Sequence, residues 1–185
     1  MKELYLIAVF CLVFISAGAQ NRYFTKDAKI NFNSSTPIED IIAESNQATT
    51  FIDLDKNELV FSVLTTSFKF RRALMEEHFN ENYMESAKNK DFSKAKFSGK
   101  ITSPIDWKSE KAVVVEVKGD LSMHGVTKPI TIKANITPGK TKILANAEFK
   151  VTPEDFSINI PSAVRDKIAK EVTIKVDAIY APYQQ

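Results

Sequence analysis

Two histidines, His78 and His124, are the side chains best suited by type to catalysis or metal binding. Asp120, Ser122 and His124 together supply the carboxylate, hydroxyl and imidazole of a serine-nucleophile triad. On a strand these three share a face, with neighbouring members about 7 Å apart, too far for the short hydrogen bonds a nucleophile and its base require. There is no G-x-S-x-G elbow or glycine-rich phosphate loop, and five glycines leave little material for one. A zinc ion would accept His78 with Glu77 or Glu81, and His124 from elsewhere, yet no spacing ties these residues together. His78 falls on an apolar stripe, where an imidazole hydrogen-bonded near a wall is the simpler role. His124, just before Gly125, suits a turn or bulge that ends a strand. The residues point away from an enzyme, and no cofactor or metal is expected.

The composition narrows the classes further. The 185 residues are 26% charged and 44% hydrophobic, which suits a chain able to bury a core. A net charge of +2, from 25 Lys and Arg against 23 Asp and Glu, is too small to advertise a nucleic-acid partner. At the start, Lys2 precedes an apolar run from Leu4 to Ile15. Ser16-Ala17-Gly18-Ala19 then offers the small residues that a signal peptidase accepts. The run is short of the ~20 residues needed to cross a bilayer. Residues 1–19 are therefore expected to be an export leader cleaved after Ala19, leaving 20–185 as one domain, periplasmic or secreted, with no membrane span. Cys11, the single cysteine, departs with the leader, and disulfides and thiolate metal sites go with it.

The elements that position these residues are mostly strands. Val172, Ile174, Val176, Ala178 and Tyr180 alternate with polar residues, as period-two strands do. Ile130, Ile132, Ala134 and Ile136 repeat the pattern, as do Val113, Val115 and Val117, and Ile143, Ala145, Ala147, Phe149 and Val151. Phe97, Gly99 and Ile101 follow it briefly, and so do Leu59, Phe61 and Val63, with earlier candidates near Ala28–Phe32 and Ala48–Leu54. Turn-forming residues at 55–57, 108–110 and 138–140 separate these runs, which predicts antiparallel neighbours. Two segments differ. Over about 72–84, Leu74, Met75, His78, Phe79, Asn82 and Tyr83 share one face at helical spacing. A shorter helix is expected over about 162–170, with Ser162 as its N-cap.

Seven or eight strands with one polar face each must hide the other face, either by closing into a barrel or by stacking as a sandwich. Periodicity does not choose between the two. An eight-stranded barrel is just wide enough to be filled by side chains or to hold one small ligand. Bulky Phe61, Phe97 and Phe149 mixed with small Ala134, Ala145, Ala147 and Gly99 are compatible with either interior.

Three segments carry a resemblance. ALMEEHFNENYMES at 73–86, AKFSGKI at 95–101 and GDLSMHGVTKPI at 119–130 resemble, in order, the YceI-like family of polyisoprenoid-binding, lipocalin-like proteins. The likeness runs from about Asn31 to Tyr180. It includes a strand ending in Phe68 and Phe70, a helix opened by Leu74 and Met75, and the later Gly-Asp-Leu strand. The resemblance implies an all-β, eight-stranded antiparallel barrel with a helix at one end and an isoprenoid chain in its lumen. It also implies a periplasmic or secreted location. The segment 160–172 departs from the pattern, and could cap the barrel mouth or narrow the lumen.

From the alternation and this likeness, the expected lining is Phe61, Val63, Phe68, Phe70, Leu74 and Phe79 on the first half of the chain. Phe97, Ile101, Val115, Val117, Ile132, Phe149 and Phe156 continue it on the second. Met75, Met84 and Met123 would add flexible, polarizable contacts. Each CH₂ taken out of water is worth ~0.8 kcal/mol, so an apolar lumen needs no polar contact to hold a long isoprenoid or quinone. An anionic head group would want cations at the rim, and Arg71 and Arg72 at the helix start are the expected contacts. The expected partner is thus a long-chain lipid, with a homodimer compatible with an exposed edge or helix. The other function class, a structural or adhesive barrel with a filled interior, differs from this one in a single property, whether the lumen is empty.

Overall fold

In the computed structural model, residues 21–183 are described. The expected leader and Cys11 lie outside them. Strands β1 (Arg22–Ser35), β2 (Asp40–Asp53), β3 (Glu58–Leu64) and β4 (Lys69–Phe70) precede a helical segment. Strands β5 (Lys94–Ile101), β6 (Val113–Met123), β7 (Val126–Thr137), β8 (Ile143–Val151) and β9 (Val172–Pro182) follow it. All pairings are antiparallel, in the order β1-β9-β8-β7-β6-β5-β3-β2, and β1–β2 pairing closes the ring. Eight strands therefore form a closed barrel, which leaves no open edge in the wall. The two-residue β4 prolongs the line of β3 along β2. Ser62 opposes Thr49, and after a break Phe70 opposes Ala43.

β1 and β2 are both longer than their sequence patterns suggest. Their inward faces carry Ser34, Ser45 and Thr50, all buried, and β1 is shifted in register against β2 around Ala28. Polar residues pointing inward and bulges both erase a period-two signature. The buried hydroxyls are satisfied by partners from other elements. Ser45 Oγ lies 2.7 Å from Ser67 Oγ, which donates to the Leu64 carbonyl at 2.7 Å.

The turns between strands are partly as expected. Residues 54–57 and 138–142 join β2 to β3 and β7 to β8. By contrast, β5 and β6 are separated by a loop over 102–112, much longer than the tight turn expected at 108–110. In that loop Trp107 donates to Asn57 Oδ1 at 3.0 Å, and with Ile105, Leu54 and Tyr23 it packs on the core at one end. β6 and β7 are joined at the other end by His124 and Gly125, both with positive φ, 51° and 75°. That is the geometry of a two-residue hairpin turn whose twist matches its strands.

Both large insertions fall at this second end. Helix α1 (Ala73–His78) runs directly into a wider turn over Phe79–Tyr83, where the Met84 N–H donates five residues back to the Phe79 carbonyl at 2.8 Å. The wider turn rotates the later residues relative to a regular 3.6-residue helix. As a result Met84 is buried; before the turn, Leu74, expected on the inner face, is 60% exposed. The expected helix at 162–170 is instead a 3₁₀ segment, Ser162–Lys167, with Pro161 at its N-cap and no side-chain cap from Ser162. Arg165 Nη2 holds the Ile160 carbonyl at 3.1 Å and the Ala169 N–H donates to Ser34 Oγ at 2.8 Å. These anchors draw the chain out of helical geometry by Ile168, which is extended.

Candidate ligand-binding site

The alternating inward residues of the barrel enclose a cavity of about 350 Å³, toward the lower end of the ~300–1,000 Å³ usual for ligand pockets. One wall is built of small residues brought together by register. Ala134 opposes Ala147, Ala145 opposes Ala178, and Ala147 opposes Val176 across β7, β8 and β9. In the ring order β3 and β5 lie across the lumen from β8 and β9, and there Phe61 opposes Phe97. The decisive feature is exposure. Ala145, Ala147, Phe149, Ile174 and Val176 point inward, line the cavity, and are only partly buried. The surface they retain faces the hollow, so the protein's own atoms do not fill it.

At the end covered by α1, four phenylalanines interlock. The ring of Phe79 lies 5.4 Å from that of Phe32, 5.9 Å from Phe68 and 5.1 Å from Phe70. Offset and edge contacts at these distances are the favourable arrangements for aromatic pairs. They fasten the helix to β1 and β4 while presenting ring faces to the cavity. Val164 of the 3₁₀ segment and Ile168 just after it line the same end.

Polar groups in the lumen are few and mostly tied up. Thr50 Oγ1 donates to the Val60 carbonyl at 2.9 Å, which uses its only hydrogen, so the Tyr180 hydroxyl, 3.0 Å away, donates to Thr50. Burial pushes the Tyr180 phenol up to about 12, its bond to Thr50 offsetting this only in part. The phenol is therefore neutral throughout the physiological range.

The chemical candidates of the sequence are dispersed. His124 is buried in its turn, with Nδ1 3.1 Å from the Phe156 carbonyl and Phe92 packed on its ring at 4.1 Å between centroids. Its Nε2 sits 3.8 Å from Glu85, whose carboxyl is held low chiefly by Lys88. Ser122 Oγ pairs with Thr127 Oγ1 at 2.7 Å rather than with His124. His78 lies on α1 at the cavity edge. Among the described residues no group of three or more His, Cys, Asp or Glu is placed to hold a metal ion. No helix among them is long and apolar enough to cross a membrane.

Twelve of the sixteen residues expected to line the lumen do line it. They are Phe61, Val63, Phe68, Phe70, Met75, Phe79, Met84, Phe97, Val117, Met123, Ile132 and Phe149. Four are elsewhere. Leu74 faces solvent on the outer side of α1, whereas Ile101, Val115 and Phe156 are buried among other side chains without reaching the hollow. Ile101 and Val115 point inward but belong to the end packed under Ile105 and Trp107. Arg71 and Arg72 are exposed outside the lining, and Arg72 is paired with Glu39. Lining residues not singled out include Ile30, Phe32 and Ile41, on strands whose pattern was masked, and Ile158 and Ile160 in the β8–β9 connection, which has no period. Leu121 and the inward residues of β9 were legible from alternation alone.

A family model described as YceI-like domain matches residues 23–180. The chain belongs to the YceI-like family. Among curated relatives of this YceI-like chain, a UPF0312 protein of Pseudomonas fluorescens (strain SBW25) is 27% identical over 128 residues, 65% of this chain and 62% of that protein. A UPF0312 protein of Pseudomonas putida (strain GB-1) is 30% identical over 46% of this chain and 45% of its own length. The matches thus span between about half and three fifths of these relatives. Among solved structures, a polyisoprenoid binding domain from Saccharophagus degradans, implicated in plant cell wall breakdown, superposes with a TM-score of 0.73. It is 16% identical, with 89% of this chain and 99% of that one covered. BcnA of Burkholderia cenocepacia gives 0.68 at 13% identity, covering 83% and 96%. At these identities the YceI-like barrel itself is what is shared.

Proposed function

We propose that this chain binds a long apolar lipid, a polyisoprenoid or an isoprenoid quinone, inside its barrel and carries or stores it without altering it. The observation that carries this reading is the unfilled apolar lumen, in which inward Ala145, Ala147 and Val176 keep surface that only a guest would cover. Covering apolar surface yields ~25 cal/mol per Å², so a guest chain is driven in without any polar anchor. The likeness to a polyisoprenoid binding domain agrees with this chemistry. A structural barrel would gain stability by filling the same space with larger side chains, since cavities cost stability. The carrier is placed in the periplasm or outside the cell, where a leader ending at Ala19 would send it.

The test is displacement of an environment-sensitive apolar fluorophore from the purified protein by farnesol or by a short-chain quinone. Saturable displacement at one guest per chain is expected. Absence of both fluorophore uptake and displacement rejects the reading in favour of a barrel with a structural task.

A further inference from the structure

Of the three basic residues that line the cavity, Lys96 alternates with the inward Ala95 and Phe97 on the wall strand β5, while the other two stand at the mouth, where the apolar-carrier reading leaves them unused. His78 of α1 and Lys167 at the end of the 3₁₀ segment both line the cavity, and both are also exposed to solvent. They come from the two separate insertions that cover the same end of the barrel, and a single strand brings them together. Phe79, next to His78, packs on Phe32 of β1 at 5.4 Å. Ala169, two residues past Lys167, donates its N–H to Ser34 Oγ of β1 at 2.8 Å. Phe32 and Ser34 are two residues apart on one face of that strand, about 7 Å.

The charges around them are arranged so that this edge stays positive. Glu39 is the only carboxylate among the described residues lining the cavity, and Arg72 neutralises it. Glu76 is occupied by Lys69 at 2.6 Å, and Arg165 by Glu154 at 2.6 Å. Glu77 and Asp166, the acids adjacent in sequence to His78 and Lys167, are exposed and do not line the cavity. Deeper in the lumen the surface is almost wholly carbon, and the hydroxyls of Ser34, Thr65 and Tyr180 are hydrogen-bonded. An amphiphile entering tail first would leave its head between Lys167 and His78, half desolvated, where a charge-assisted hydrogen bond is stronger than in open water.

Resting on the proposed lumen reading, we propose that this mouth is an anion site which selects lipids with a single carboxylate or phosphate head, Lys167 supplying the charge and His78 a ring N–H. Arg71 and Arg72, the cations nearest the helix start, lie outside the lining and do not contact the head.

The experiment measures binding of four single-tailed probes to the full chain: farnesyl phosphate and farnesol, palmitoleate and palmitoleyl alcohol. The unmodified protein is expected to prefer the anionic member of at least one pair by about tenfold. Preference within the farnesyl pair alone assigns a phosphate head, within the palmitoleyl pair alone a carboxylate, and within both an anion of either kind. Lys167→Glu should erase the preference, and His78→Ala should reduce it severalfold, while farnesol and palmitoleyl alcohol still bind within about twofold of the unmodified protein. Arg71→Glu should leave the preference in place. Equal binding of charged and uncharged members, or a preference that survives Lys167→Glu or vanishes with Arg71→Glu, overturns the site while the lumen reading stands. Failure of all four probes to bind the unmodified protein removes the lumen reading and the site with it.

Discussion

Single positions decide whether the lumen is available. Ala134 and Ala145 line it from adjacent strands, on the thin wall where small residues meet. An indole at either site would project into a hollow of about 350 Å³. Ala134→Trp and Ala145→Trp are expected to abolish uptake of an apolar guest with unchanged strand content by circular dichroism. Unaltered uptake in both would place the guest elsewhere. Tyr180 makes a different statement. Its folded phenol titrates at about 12 against an ordinary 10, so the neutral form is favoured by folding. The resulting stability is complete below pH 10 and is lost as pH climbs toward 12, by on the order of 2–3 kcal/mol. Tyr180→Phe should cost about 1 kcal/mol near neutral pH through the lost hydrogen bond and flatten the fall of stability above pH 10. Denaturant titrations at pH 7, 10 and 11.5 would measure both, and an identical alkaline slope in the variant would contradict this account. At this scale the sequence was readable wherever apolar residues alternated, as for Phe61, Phe97 and Ile132. It was unreadable at Ser34, Ser45 and Thr50, whose inward hydroxyls are satisfied by partners far along the chain.

Among elements, the β5–β6 pair shows how the wall is bent. Gly99 faces Gly119 across the two strands. A Cβ on Gly119 would come within 2.3 Å of the Ser98 carbonyl oxygen and 2.4 Å of the Gly99 Cα, both backbone atoms that cannot swing aside. The paired glycines therefore permit an approach that any side chain would block, and such positions mark tight bends in barrels. Gly119→Ala is expected to destabilise the protein by roughly 1–3 kcal/mol, read as a lowered denaturation midpoint, with no change expected if the strands could simply part. Helix α1 was legible in its extent and in most of its facing, since Met75, His78, Phe79 and Tyr83 line the cavity, but Leu74 and Asn82 are exposed. The sequence pattern assumes 3.6 residues per turn, whereas the wider turn at Phe79–Tyr83 shifts which residues look inward, turning Met84 in. The segment at Ser162–Lys167 was legible as helical, but not as 3₁₀ nor in where it ends, because its geometry depends on anchors to Ser34 and Ile160 as well as on its own residues.

For the molecule as a whole, strand number and antiparallel order followed from turn residues and alternation, but closure did not. A sandwich and a barrel share the same local patterns, and only the β1–β2 pairing, between strands of poor alternation, separates them. Whether the lumen is vacant was equally beyond local pattern, since it depends on small residues of β7, β8 and β9 coming into register with one another. The same closure places both insertions over one end and Trp107, Ile105 and Leu54 over the other, giving a container with one covered mouth. The most direct trial of that account is native mass spectrometry of the protein purified without detergent from a host that makes prenyl lipids. A population of chains carrying one extra mass, which organic extraction removes and identifies as an isoprenoid lipid, is the predicted result. A bare chain mass in every preparation, unchanged after incubation with farnesol or a quinone, would contradict it.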